Sequence, residues 1–102
     1  MRRALAVSGA LCVLLPAAAT AKGDPDPIRY VAANCANCHG TMGRGGGAMP
    51  ALAGLQKAYF LEQMRAFRDG KRPATVMQQI AKGYSDLQIE QLAGYFARQP
   101  AR

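Results

Sequence analysis

The chain has 102 residues, half of them hydrophobic, and a formal net charge of +7 at neutral pH. That length is room for one small domain. The basic residues form no long run, whereas a nucleic-acid site would need a clustered basic stripe with interleaved aromatic residues. Two interpretations of the charge remain: docking to an acidic partner surface, or keeping a small exported protein in solution.

The first 21 residues have the layout of a secretory signal peptide. Two arginines precede an apolar run over residues 4–15, and residues 19–21 form an A-x-A cleavage site. We expect cleavage after Ala21, which leaves a mature domain over residues 22–102 in the periplasm. Cys12 would be discarded with the leader. No apolar stretch is long enough to span a bilayer, so we expect no membrane anchor.

The first helix is predicted directly after the leader. Asp26 is placed to cap its N-terminus, Pro27 suits its first position, and residues 28–36 carry it into a cysteine motif. Six glycines then make residues 40–54 a loop, and we interpret them as allowing the backbone to approach a bulky group.

Two further helices follow the loop. Residues 57–69 place Phe60, Met64 and Phe67 on one face, with Gly70 to end the helix. Pro73 and Gly83 keep the next segment irregular.

The last helix begins after a capping box formed by Ser85 and Gln88. No strand pattern appears along the chain. The sequence therefore predicts an all-α domain of three to five helices. The apolar face of the last helix consists of Ile89, Leu92, Ala93 and Phe96.

The segment from Cys35 to His39, CANCH, holds two cysteines and the only histidine of the chain. Three chemistries use such a cluster. A structural zinc site needs four ligands, and the mature chain has no other Cys or His. A redox pair needs C-x-x-C at a helix start in a βαβ setting, whereas here the motif ends a helix. A c-type haem needs two thioethers and an adjacent histidine, which this motif supplies.

A covalent haem would also complete the core of a chain this small. Leu52, Phe60 and Met64 are candidate haem-binding side chains. The larger set expected to wrap the group also includes Phe67, Leu87, Ile89, Leu92 and Phe96.

His39 would bind the iron, and the sixth ligand would be a methionine. Met42 and Met49 follow His39 closely and are expected on its side of the haem. Met64 lies on a helix face and suits core packing better. Met77, in an irregular stretch far along the chain, is free to reach the opposite face.

The second ring nitrogen of His39 needs a hydrogen-bond acceptor. A backbone carbonyl of the following loop is the expected partner, and Pro50 is the candidate to supply it. A plain turn-forming role for Pro50 is the alternative.

CANCH, then MPALAGL, then a methionine before a helix ending in LAGYF together resemble class I c-type cytochromes over residues 26–99. The resemblance implies a small cytochrome c fold with one haem c, thioethers at Cys35 and Cys38, axial ligands His39 and Met77, and a Pro50 carbonyl bonded to the histidine. It also implies that Val31 packs against Leu92 and Tyr95, where the first and last helices cross.

Two subgroups are the most similar. Residues 52–72 look like a domain of the two-haem c4 group, and residues 73–96, with IAKGYS, are similar to the haem subunit of flavocytochrome c sulfide dehydrogenase. The second likeness implies an FAD flavoprotein partner, a downstream redox acceptor and no catalysis by this chain alone. A free periplasmic shuttle is the alternative, and a ligand-binding haem protein would require that Met77 leave the iron.

Overall fold

In the computed structural model, the chain is described over residues 4–6, 8–17 and 26–101. Residues 4–6 and 8–17 are exposed and have no regular secondary structure. The expected cleavage site at Ala21 and the arginines before the apolar run lie outside the described residues. From residue 26 onward the described chain is helical, as predicted, and its only β-type pairing is an isolated bridge between Gly46 and Met49.

The first helix, α1, spans Ile28–His39. Pro27 before it has helical backbone angles, as expected of a proline in the first turn. Ile28, Ala32 and His39 are buried at near-helical spacing, so one face of α1 points to the core. The helix runs three residues beyond the predicted Ala36. The whole cysteine motif is therefore helical.

The second helix, α2, spans Lys57–Arg68 and ends as the sequence predicts. Gly70 has a positive φ of 72°, and the Lys71 N–H donates to the Ala66 carbonyl at 2.8 Å. That pattern is a Schellman cap. Phe60 and Met64 are buried, which confirms the predicted apolar face.

The segment after α2 is less irregular than predicted. A short third helix, α3, spans Met77–Ala81, so Met77 begins a helical turn. The last helix, α4, spans Asp86–Ala97. Its predicted capping box is present: the Gln88 N–H donates to the Ser85 hydroxyl at 3.1 Å, and the Ser85 N–H donates to the Gln88 side chain at 3.0 Å.

The core lies where α4 meets α1 and α2, while α3 packs on α2. Phe96 of α4 stacks on Phe60 of α2 with ring centroids 5.7 Å apart. Val31 and Tyr95 are half-buried against the cluster that contains Leu92. The α1–α4 contact is therefore as expected, and the individual Val31 pairing stays a prediction.

Leu87 is not where the sequence analysis expected it. Its side chain is 64% exposed, and it lines a surface groove together with Pro27 and Val31. Leu87 precedes Ile89 by two residues, which is a rotation of about 200° around a helix axis. Since Ile89 faces the core, Leu87 points away from it, and its expected place around the haem was wrong.

Two ion pairs join the helix ends. Arg68 at the end of α2 donates to Asp86 at the start of α4, at 2.5 Å. Arg98 after α4 donates to Asp26 before α1, also at 2.5 Å. Within the described part of the chain, no helix has both the length and the apolar character needed to cross a membrane.

Candidate functional site

The cysteine motif occupies the last turns of α1. Cys35 is half-buried against the core, and Cys38 is exposed. Both thiols are free, with no disulfide between them. The helix places the two sulfurs three residues apart on the chain and just before His39, so the three side chains belong to one end of one helix.

The environment of these thiols does not suit a redox pair. Burial raises the pKa of the Cys35 thiol, and a backbone hydrogen bond offsets this only partly. The C-terminal end of a helix carries partial negative charge, which further disfavours a thiolate. Reactive thiols need the opposite setting, with a lowered pKa and nearby positive charge.

A structural zinc site is also not formed. Among the described residues, no three Cys, His, Asp or Glu side chains converge to hold a metal ion. Cys35, Cys38 and His39 follow one another along a helix instead of surrounding a point. Of the three chemistries that the motif allows, the haem attachment is the one that this arrangement accommodates.

His39 is the only buried polar or charged side chain among the described residues, with 7% of its surface exposed. Its Nδ1 lies 2.8 Å from the Pro50 carbonyl oxygen. A carbonyl can only accept, so Nδ1 carries the proton and Nε2 is left with a free lone pair. The loop thus fixes both the tautomer and the orientation of the ring, as is usual for a metal-binding histidine.

The loop between α1 and α2 is held by backbone hydrogen bonds. It begins with a 3-10 turn over Thr41–Gly43, and the Gly43 carbonyl accepts from the N–H groups of Leu52 and Ala53 at 2.6 and 2.9 Å. Gly45 donates to the His39 carbonyl at 2.6 Å. These bonds return the chain to α1 and bring Pro50 to the histidine.

The glycines of this loop pack against the protein itself. A Cβ added at Gly43 would lie 2.7 Å from the Phe96 ring, and one added at Gly45 would lie 2.9 Å from loop backbone atoms. The expected approach to a bulky foreign group therefore needs correction for these two positions. Sequence reasoning missed the close contacts of both, because the run HGTMGRG shows the glycines but not what they pack against.

The methionines fall into separate environments. Met64 is 7% exposed inside the core, whereas Met77 is half-buried at the first position of α3 and packs on the core from outside. Met42 is exposed and is the only non-glycine residue with positive φ in the described chain. Met49 is also exposed.

The residues present fit a covalent haem. Two free thiols precede a buried imidazole whose Nε2 is available, and a thioether begins α3. Large apolar side chains near these donors in the chain stay exposed, which is surface that a flat apolar group would cover. Two of them are Met42 and Ile80. Leu52 is half-buried, and Phe60 and Met64 lie in the core.

The family model described as Cytochrome c matches residues 29–98, which is more than half of the chain. The chain belongs to the cytochrome c family. A cytochrome c carries a covalent haem c and transfers electrons, so the fold and cofactor expected from the sequence are confirmed. The described residues form helices and no sheet, which agrees with this.

Two curated relatives of this cytochrome c carry the names of sulfur-compound dehydrogenases. The thiosulfate dehydrogenase electron acceptor of Thiomonas intermedia (strain K12) is 42% identical over 96% of this chain and 44% of its own length. The cytochrome subunit of sulfide dehydrogenase of Chlorobaculum tepidum is 38% identical over 62% of this chain and 57% of its own length. The cytochrome c thus spans about half of each of these relatives.

A solved structure has the same fold. The cytochrome c4 of Acidithiobacillus ferrooxidans matches with a TM-score of 0.60 and 40% identity, over 62% of this chain and 37% of the other. The likeness to the c4 group and to the sulfide dehydrogenase subunit, both expected from the sequence, is therefore found.

Proposed function

We propose that this cytochrome c accepts electrons from a dehydrogenase that oxidises a reduced sulfur compound outside the cytoplasm, and that the first candidate donor is a sulfide-oxidising FAD flavoprotein. The observation that carries the proposal is the shared role of the two relatives, one named as an electron acceptor and one as a cytochrome subunit of sulfur-compound dehydrogenases. The IAKGYS segment after Met77 favours the flavoprotein.

In this proposal, Cys35 and Cys38 would hold the haem as thioethers, and His39 and Met77 would bind its iron. The haem supplies a one-electron couple at its iron. His39 keeps its proton on Nδ1, bonded to the Pro50 carbonyl at 2.8 Å, and would offer Nε2 to the iron. The Met77 thioether favours the reduced state. With both axial positions taken by the protein, no substrate would bind at the iron.

The proposed place of action is the periplasm. The apolar run over residues 4–15, the arginines before it and the A-x-A at Ala21 support export and cleavage. Haem attachment to the motif needs free thiols, and both Cys35 and Cys38 are free.

The proposed docking surface is uncharged. It consists of two loop segments, residues 48–49 and 74–76, which are exposed or half-buried and carry apolar or small side chains. Val76 is 56% exposed. An interface centre that is poor in charge and surrounded by polar residues is typical of stable complexes.

A free carrier is the second candidate. It is favoured by the Thiomonas relative, which matches nearly the whole of this chain and is named as an acceptor. A carrier would meet thiosulfate dehydrogenase through a small, transient contact. Cleavage would remove Arg2 and Arg3 with the leader, and the remaining excess of basic over acidic residues, 11 against six, would then steer the carrier to an acidic partner.

Copurification at high salt separates the two candidates. A flavoprotein that stays with the cytochrome in a one-to-one complex at about 1 M salt supports the subunit, because screening at that ionic strength removes contacts that rest on charge. A lone monomer that thiosulfate dehydrogenase reduces would support the carrier and contradict the subunit. A Val76→Asp variant should lose the flavoprotein while keeping its haem, and Leu87→Asp, on the exposed outer face of α4, is the matched control.

A further inference from the structure

The loop after α1 holds His39 at two points. Its backbone carbonyl accepts from the Gly45 N–H at 2.6 Å, and its imidazole Nδ1 bonds the Pro50 carbonyl at 2.8 Å. Between these two anchors lies a four-residue turn, in which Gly46 and Met49 exchange backbone hydrogen bonds of 3.0 and 3.2 Å. The position of the Pro50 carbonyl therefore depends on how this turn is seated against α1.

The backbone of this turn packs closely against Gly45. Its φ is +76°, and a Cβ built there would lie 2.9 Å from both the Met49 carbonyl oxygen and the Ala51 nitrogen. The first atom belongs to the peptide that enters Pro50. The second is bonded to the carbonyl carbon whose oxygen accepts from His39. Both are backbone atoms, which cannot rotate away as a side chain would.

We infer that Gly45 is a positioning residue for the axial histidine, acting through Pro50. Any side chain at position 45 would push the two peptide groups on either side of Pro50 and would displace the oxygen that holds the Nδ1 proton. The absence of a Cβ at position 45 therefore sets the strength of the His39–Pro50 hydrogen bond. This inference rests on the proposed ligation of iron by His39, and not on the identity of the electron donor.

The consequence is a change in the redox potential. A strong hydrogen bond from Nδ1 makes the imidazole more basic at Nε2, which stabilises the oxidised metal. A weaker bond makes it a poorer donor and favours the reduced state. Displacing the Pro50 carbonyl should accordingly raise the midpoint potential.

The test compares three glycine variants of the haem-loaded protein. Gly45→Ala should raise the midpoint potential and speed the solvent exchange of the His39 Nδ1 proton, followed by NMR. Gly47→Ala is the matched control, because Gly47 also has a positive φ, of 57°, but has no atom within 4 Å of an added Cβ. It should lose some stability through backbone strain and keep the potential. Gly46→Ala, which has neither feature, should change nothing.

An equal potential shift in Gly45→Ala and Gly47→Ala would overturn the inference, because strain alone would then explain it. An unchanged potential and Nδ1 exchange in Gly45→Ala would also overturn it. If His39 gave no iron-shifted resonances in the wild-type protein, the ligand assignment itself would be the part that fails.

If the Gly45→Ala variant does not fold, a measurement on the wild-type protein tests the same inference. The Gly45 N–H and the His39 Nδ1 proton should exchange with solvent in one common opening event and share the same protection. Independent exchange of the two protons would contradict the inference.

Discussion

At the scale of single residues, burial separates the two methionines that the sequence left as competitors. Met64 belongs to the buried core cluster that also contains Phe60. Met77 begins a helix after a loop, and its side chain is only half-buried. Truncation of a buried core side chain should lower the free energy of unfolding. Truncation of an iron ligand should change the ligation and the redox potential of the iron.

Replacing Met77 with alanine should open the sixth position of the iron. We expect the reduced variant to bind carbon monoxide rapidly and its midpoint potential to fall, because the thioether favours the reduced state. Absorption spectra of the reduced variant, with and without carbon monoxide, measure this binding.

Met64→Ala is the control for that experiment. It should cost about 2–5 kcal/mol of unfolding free energy, as for other buried methionines, and should keep the sulfur-to-iron absorption band. Loss of that band in Met64→Ala, together with its retention in Met77→Ala, would show that the two roles are reversed.

Leu87 and Leu92 test the corrected position of the α4 face. Leu92 is fully buried and Leu87 is 64% exposed. We expect Leu92→Ala to cost about 2–5 kcal/mol and Leu87→Ala no more than about 0.5 kcal/mol. Denaturant unfolding of the two haem-loaded variants measures both. Similar large losses would mean that Leu87 is covered in the folded protein, as the sequence first indicated.

At the scale of the elements, the helix ends that have local capping residues were easier to predict than the features that depend on distant contacts. Gly70 ends α2 and Ser85 begins α4 as expected, because capping depends on a few neighbouring residues. The extension of α1 to His39 depends on the loop that returns to it, and the short helix α3 depends on packing against α2. Neither is local, so the sequence pattern missed both.

The site divides in the same way. The motif from Cys35 to His39 is contiguous, and its residue types and spacing predict a haem. The His39–Pro50 contact was expected from the need to satisfy a second ring nitrogen. The contacts of Gly43 with Phe96 and of Gly45 with Met49 depend on how the loop folds in space, and composition gave no sign of them.

Removal of the α4 cap should have a measurable and local cost. Ser85→Ala loses the bond from the Gln88 N–H, and we expect a loss of about 1 kcal/mol in unfolding free energy. Ser85→Asp is the control, since aspartate also caps and should restore most of the loss. Equal stability of Ser85→Ala and the wild-type protein would contradict the role of the cap.

The Arg68–Asp86 pair links α2 to α4 and should make stability depend on acid pH. The hydrogen bond from Arg68 and then its charge lower the pKa of Asp86. Because the folded pKa lies below the unfolded value of about 4, the contribution is present above that pH. It is lost as the pH falls through the folded pKa.

Asp86→Asn should therefore be less stable than the wild-type protein at neutral pH and should approach it at strongly acid pH. Thermal unfolding at several pH values measures the difference. Arg68→Gln should give the same pattern. The double variant should lose no more stability than about either single variant does. A constant difference at all pH values would contradict the pair as its source.

At the scale of the whole molecule, the described core is small and the cofactor belongs to it. Nine buried side chains form the cluster around α4, while several large apolar side chains near the candidate ligands remain exposed. A small domain often needs a covalent group or a partner to complete its fold. Haem and docking partner would each cover a separate part of that surface.

The most direct test of the proposed function is rapid-mixing reduction of the oxidised cytochrome. We expect sulfide with the flavoprotein of a sulfide dehydrogenase to reduce it far faster than sulfide alone, and we expect added salt to slow this reduction only slightly. Reduction by thiosulfate with thiosulfate dehydrogenase, and no acceleration by the flavoprotein, would contradict the first candidate donor. No acceleration by either dehydrogenase would contradict the proposal as a whole.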